Sequence, residues 1–168
     1  MSGAPEIGLV AIDRTVAREA ADAKAAFVTA HALVTEGVRD LMAGVIGMTP
    51  APMLDYGEWG GFFVFDRASR QVVGTCAFKS PPDARGAVEI AYYTFPPFEG
   101  RGYAGAMARE LTRRAQAGAA VRTILAHTLA EPNASTRVLE RAGFRNAGEV
   151  IDPEDGPVWR WVIEKQSP

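Results

Sequence analysis

One cysteine, Cys76, stands in the whole chain. A lone thiol cannot close an intramolecular disulfide or supply a multi-cysteine zinc site, so a disulfide scaffold and a zinc-ribbon module are excluded. The two histidines, His31 and His127, lie far apart and match no metal spacing, and each reads as structural. A basic surplus is also missing. Eighteen Lys+Arg stand against 20 Asp+Glu, giving a formal net charge of −2 and a pI near 5.7. A dedicated nucleic-acid binder neutralises phosphates with excess cations, and none is visible here. Lysine occurs only at Lys24, Lys79 and Lys165, so most of the positive charge is arginine. No apolar run approaches the ~18 residues of a membrane-spanning helix. The longest uncharged stretch, Leu41–Leu54, is broken by Gly44, Gly47, Pro50 and Pro52. The start, Met-Ser-Gly-Ala-Pro-Glu, lacks the basic and apolar blocks of a signal peptide. A soluble, cytoplasmic protein with neither membrane nor nucleic acid as partner is expected.

What is present is an ordinary folded composition. The 168 residues are 48% hydrophobic, 9% aromatic and 23% charged, enough for one domain over residues 1–168 with a full core. Ile7–Ile12 reads as a first strand. From Thr15 to Met48 the chain turns helical, with Ala26, Phe27, Ala30, Val34, Val38 and Leu41 among the apolar residues at three- and four-residue spacing, and Gly37 marks a break between two helices. Pro50–Gly61 is a loop. Phe62–Phe65, Gln71–Phe78 and Val88–Thr94, joined by polar turns, form an antiparallel meander. Tyr103–Ala117 is a strong helix stopped by Gly118, and Val121–Leu129 is a strand. Asn133 caps a short helix ending at Gly143. Phe144–Ile151 and Val158–Glu164 then flank the acidic turn Asp152–Pro157, a solvated hairpin loop. Cys76, Trp159, Trp161 and Ile163 read as core. The order β-α-α-β-β-β-α-β-α-β-β specifies an α/β (α+β) fold: a mixed sheet of about six or seven strands, mostly antiparallel, flanked by about four helices.

The segment richest in chemistry runs from Val88 to Gly105. Along the strand, Val88, Ile90 and Tyr92 share one face and Glu89, Ala91 and Tyr93 the other. A short loop then leads into Glu99-Gly100-Arg101-Gly102-Tyr103-Ala104, a glycine turn that opens a helix. A helix N-terminus leaves backbone N–H groups unpaired and carries partial positive charge, and glycine lets that backbone approach an anion closely. Arg101 adds a cation. A pyrophosphate cradle and a plain β-to-α turn both fit this segment taken alone. There is no Gly-x-x-x-x-Gly-Lys-Ser/Thr loop and no Gly-x-Gly-x-x-Gly after a first strand, so the P-loop and the Rossmann fingerprint are out.

Strand, Gly-x-Gly-x-Ala turn, alanine-rich helix, strand, then Asn133-Ala-Ser-Thr-Arg-Val-Leu-Glu-Arg-Ala-Gly-Phe144 resembles the GCN5-related N-acetyltransferases. The resemblance is nearest to the branch that modifies ribosomal-protein N-termini, and it covers roughly residues 60 to 165. It implies acetyl-coenzyme A as co-substrate and no metal. It further implies a splayed fourth and fifth strand, an acetyl-CoA-binding core over residues 86–144, and an acceptor side built by the helices within about 15–48. The backbone N–H groups of Gly100, Arg101, Gly102, Tyr103, Ala104 and Gly105 would hold the pyrophosphate. Strand backbone at Ala91, Tyr92, Tyr93 and Thr94 would pair with the pantetheine arm, and an N–H there would stabilise the oxyanion. Tyr92 and Tyr93 also read as core aromatics.

The implied reaction is direct acyl transfer from a thioester to a primary amine, which must lose a proton before it attacks. Glu89 matches the position of the family's base; without the match it is a solvated strand carboxylate. The tyrosine that many members place four residues before the Gly-Phe glycine is here Leu139, and the Asn-x-Ser pattern offers Ser135 as partner for the leaving thiolate. Asn133 matches a coenzyme-A-contacting asparagine and is equally an N-cap. Glu99 departs from the family's Gln or Arg and sets a carboxylate beside the pyrophosphate. Met48, Met53, Tyr56 and Trp59 would build an apolar acceptor wall, with Asp55 and Glu58 to attract a cation. The acceptor is a small-molecule or peptide amine: a protein N-terminus, a polyamine, an amino acid or an aminoglycoside. A homodimer is compatible with these partners. The alternative is a non-catalytic acyl-CoA-binding module.

Overall fold

Alternation of apolar residues across three successive segments builds the centre of the molecule. In the computed structural model, which describes residues 3–21, 32 and 34–166, β2 (Gly61–Asp66), β3 (Val72–Phe78) and β4 (Ala87–Thr94) form an antiparallel meander. β1 (Ile7–Ala11) extends it beyond β2. Phe62, Phe63, Val64, Val72 and Val73 are buried on both faces of the sheet, whereas along β4 Val88 and Ile90 bury every second side chain.

The helices cover both faces. α1 (Arg14–Ala21) and α2 (Glu36–Met48) pack on each other ahead of two short 3₁₀ turns, Ala51–Asp55 and Gly57–Trp59. α3 (Tyr103–Ala117) lies across β3 and β4 and buries Tyr103, Met107, Leu111 and Ala115. β5 (Thr123–Leu129), α4 (Ala134–Arg141), β6 (Arg145–Asp152) and β7 (Gly156–Glu164) complete the chain. The seven strands make one sheet in the order β1-β2-β3-β4-β5-β7-β6, antiparallel except for the β4–β5 pair.

Element order and most boundaries match the expectation, and α3 matches to the residue. One break moves. Thr35 takes the extended N-cap conformation and α2 begins at Glu36, so Gly37 lies inside the first turn and marks no break. Ala26, Phe27, Ala30, His31 and Leu33 lie outside the described residues, as does Lys24. The fold positions the site through one irregularity. β4 and β5 pair only over Ala87–Thr123, Val88–Ile124 and Glu89–Leu125. Beyond Glu89, β4 stays with β3 to Thr94 and β5 stays with β7 to Leu129, so the two strands part and leave a V.

Candidate active site

At the mouth of this V the chain makes the glycine turn. Gly100 and Gly102 have φ of +74° and +87°, in the left-handed region where side chains are strained. A Cβ on Gly100 would meet nothing within 4 Å, so the surface there is open. Gly102 is the N-cap of α3 and offers no side chain to cap it. Six consecutive backbone N–H groups, from Gly100 to Gly105, find no protein acceptor among the described residues, and the first helical bond is Ala106 N–H to Gly102 carbonyl at 3.1 Å. A cavity of about 630 Å³ opens on this turn, bounded by Tyr92, Thr94, Phe98, Ser135 and Arg137. An adjoining space of about 990 Å³ brings Arg67, Arg101, Arg109 and Arg141 around the same turn.

Those arginines answer the problem set by Glu99. Glu99 is exposed on the cavity wall. Arg101 lies over the Phe98 ring at 5.6 Å, and Arg109 folds back so that a Cβ on Gly105 would lie 3.1 Å from its Nη1. Arg137 and Arg141, one helical turn apart on α4 and not singled out in the sequence, are exposed and border the cavity. Tyr103 is buried beside Asp66 and offers the cavity its N–H. Burial is the main reason its phenol is raised, with Asp66 adding to it. Acceptorless N–H donors, glycines without a Cβ and surrounding guanidinium groups fit a pyrophosphate.

β4 supplies the inner edge of the V. Lys79 N–H donates to the Glu89 carbonyl and Phe95 N–H to the Val73 carbonyl, both across to β3. Strand alternation therefore turns the backbone of Ala91 and Tyr93 to β3 as well, while that of Ile90, Tyr92 and Thr94 faces the gap. Of the four residues expected to present backbone to a pantetheine arm, Tyr92 and Thr94 turn theirs to the gap, whereas Ala91 and Tyr93 turn theirs to β3. The Thr94 hydroxyl is buried without a hydrogen-bond partner among the described residues.

Glu89 is the last residue of the β4–β5 pairing and stands at the vertex of the V. Its Oε1 accepts from His127 Nδ1 at 2.9 Å and pairs with Lys79 Nζ. His127 thus belongs to the vertex and is more than a packing residue. On its other side, Arg160 Nε donates to His127 Nε2 at 3.3 Å. Glu89 lines neither the cavity on the glycine turn nor the one on the opposite side of β4.

Tyr92 joins the two sides. It borders both cavities, and its hydroxyl donates to the Ser135 backbone carbonyl at 3.5 Å. Burial pushes its phenol up to about 12, so the hydroxyl remains a proton donor at neutral pH. Ser135 lines the cavity on the glycine turn. Asn133 is committed to a capping box: its side-chain oxygen accepts from Thr136 N–H at 3.0 Å while Thr136 Oγ1 accepts from Asn133 N–H at 3.0 Å. It borders neither cavity, and only its Nδ2 is left for a ligand.

On the opposite side of β4 a smaller cavity, about 150 Å³, is walled by Ile12, Val45, Thr49, Met53, Thr75 and Ala91. Met53 stands in this wall. Trp59 does not, because it packs edge-on against Phe78 at 5.0 Å and over Gly118. Met48 is 79% exposed. Asp55 is held by Arg14 through two hydrogen bonds of 2.6 and 2.9 Å, which keep its carboxyl below the usual range and tie it down as an ion pair. Cys76 is buried, and desolvation holds its thiol protonated and well above its ordinary value. No helix among the described residues is long and apolar enough to cross a membrane.

The comparisons agree with the fold. The chain matches a solved acetyltransferase of the GNAT family from Bacillus anthracis at 14% identity, with a TM-score of 0.65 over 97% of each chain. A chimera of Vibrio cholerae spermidine N-acetyltransferase SpeG with its human counterpart hSSAT gives 15% identity and a TM-score of 0.66 over 95% of each. The microcin C7 self-immunity acetyltransferase MccE, solved with acetyl-CoA and AMP, gives 15% and 0.67 over 95% of this chain and 92% of that one. No curated protein is similar enough in sequence to match. A family model described as the acetyltransferase (GNAT) domain matches residues 14–145, and with that match the chain belongs to the GNAT acetyltransferases.

Proposed function

We propose that the protein is an acetyl-CoA-dependent N-acetyltransferase that moves the acetyl group directly to a primary amine. The observation that carries the reading is the V between β4 and β5, with six acceptorless N–H groups at its mouth. Gly100 to Gly105 and the surrounding arginines hold the pyrophosphate. The backbone of Tyr92 and Thr94 aligns the pantetheine arm, and its N–H groups stand where negative charge develops on the acetyl oxygen. Acetyl-CoA supplies a carbonyl carbon joined to a good leaving group. Glu89 takes the proton from the amine, directly or through one water, as the N–C bond forms and the C–S electron pair leaves on sulfur. Tyr92 and Ser135 flank the path of the departing thiolate. A buried Cys76 supports direct transfer over a cysteine relay.

The acceptor enters from the α1–α2 side. The described residues walling the 150 Å³ cavity include no carboxylate, and Asp55 is taken by Arg14. An amine carried on an uncharged, apolar group fits this wall better than a polycation such as the spermidine of the Vibrio cholerae enzymes. A protein N-terminus, as in the ribosomal-protein branch, meets that description when its first side chain is apolar. The test is thiol release from acetyl-CoA across a panel of primary amines, run beside calorimetry. Release with at least one amine, strongest for apolar ones, is expected. Binding without release on any amine favours the non-catalytic acyl-CoA module, and absence of binding overturns both.

A further inference from the structure

The chain Arg160–His127–Glu89 fixes the state of the imidazole. A guanidinium has donors only. Arg160 Nε, 3.3 Å from His127 Nε2, therefore requires that nitrogen to present its lone pair. The ring proton then lies on Nδ1, which donates to Glu89 Oε1 at 2.9 Å. A protonated ring would point a second N–H at the Arg160 N–H. Lys79 Nζ meets the same Oε1, and no described residue hydrogen-bonds Oε2. Position matters as well. His127 lies two residues beyond Leu125, on the same face of β5, so its bond to Glu89 crosses between the strands just where their backbones separate.

We infer that His127 is a positioning residue for Glu89: held by Arg160 as the neutral Nδ1–H tautomer, it fixes Oε1 together with Lys79 and leaves Oε2 as the oxygen that receives the proton of the amine. This rests on Glu89 as the base, and the measurements separate the two. With only two histidines in the chain, nitrogen-15 NMR of the histidine rings in the full-length protein is readable, and His127→Asn identifies the signal. The Nδ1–H tautomer is expected for His127 and loses its dominance in Arg160→Met. A dominant Nε2–H form in the unmodified protein overturns the inference whatever Glu89 does.

Kinetics supply the second readout. His127→Ala should lower kcat about tenfold, a part of the ~10²–10⁴ that general-base catalysis contributes. Acetyl-CoA Kd and amine KM should stay within about twofold, the signature of an interaction felt in the transition state. His127→Asn, whose amide N–H replaces Nδ1–H, should restore most of kcat, which a merely structural loss does not permit. If Glu89→Gln lowers kcat while His127→Ala and His127→Asn both leave it unchanged, positioning by His127 is wrong and the base stands. If Glu89→Gln itself turns over normally, the base assignment fails, and the tautomer still reports whether the Arg160–His127–Glu89 chain exists.

Discussion

On the glycine-turn side of β4 the candidate site is framed by backbone N–H groups and ringed by arginines, whereas the cavity across the strand is walled by side chains brought from separate parts of the chain. At the glycine turn the proposed ligating groups are N–H donors of six successive residues, and their geometry follows from two positive φ angles and the start of α3. Across the strand, Ile12 arrives after β1, Val45 from α2 and Thr49 from its C-cap, Met53 from a 3₁₀ turn and Thr75 from β3. A backbone site tolerates any residue that preserves the conformation. A side-chain site changes with each residue in its wall. One fold can thus keep its donor and exchange its acceptor, because the two depend on different parts of the sequence.

The largest expected effect lies where backbone geometry frames the site. Gly102→Val sets a β-branched side chain at φ +87°, with Pro5 Cδ only 3.2 Å from the new Cβ. The turn must shift, and losing one or two charge-assisted N–H contacts at about 1.5–3 kcal/mol each weakens acetyl-CoA binding by roughly a hundredfold or more. Calorimetry reads this directly. Unchanged affinity would mean that the backbone donors do not hold the ligand, and the contrast between the sides would collapse.

A smaller effect is expected across the strand. Ala91 is half-buried on the face that carries Glu89 and Tyr93, and it borders the 150 Å³ cavity. A cavity of about that volume takes a benzene-sized group, so Ala91→Phe fills it. Amine KM should rise about tenfold while acetyl-CoA Kd stays within about twofold, since only the substrate's own binding is removed. The reverse pattern, a raised acetyl-CoA Kd with amine KM unchanged, would assign the cavity to the acyl arm.

The same division explains what could be read in the residues themselves. The glycine turn was legible because its parts are neighbours in sequence: strand, glycines, helix start. The Asn133 cap was legible for the same reason, since Thr136 lies three residues on. Glu89 could be placed on a face by alternation alone. Its partner could not. His127 is 38 residues away, and the register of a parallel crossover is set by how α3 packs on the sheet, which no local pattern encodes. The available signal was weak: His127 shares a face with Thr123 and Leu125, a polar residue on a half-buried strand. Likewise Asp55 finds Arg14 at 41 residues' separation, and Trp59 turns onto Phe78. The insertion of β7 between β5 and β6 was hidden too, because a hairpin turn fixes which strands pair and leaves open which of them meets the next neighbour.

The smallest effect comes from the outer face of α3, the helix whose first turn is the cradle. Glu110 Oε1 accepts from Arg114 Nε at 2.8 Å and from Arg113 Nη2 at 2.8 Å, while Oε2 accepts from Arg113 Nε at 2.9 Å. Hydrogen bonds from Arg113 first, and then from Arg114, lower its carboxyl to about 2. A carboxylate depressed in the folded state contributes stability above its ordinary pKa, and that contribution fades as pH falls from about 4.5 toward 2. Both arginines reach water, so the contribution is screened, and Glu110→Gln should lower Tm at pH 7 by only about 2 °C. The difference from the parent protein should close as the pH is brought down through that window. Acetyl-CoA affinity should not follow. The cradle depends on the first turn of α3, and Glu110 lies two turns further along, bonded only to Arg113 and Arg114 of its own helix. If affinity fell in step with Tm, the donor site would draw on the side chains of the whole helix, and its independence from the rest of the sequence would be lost.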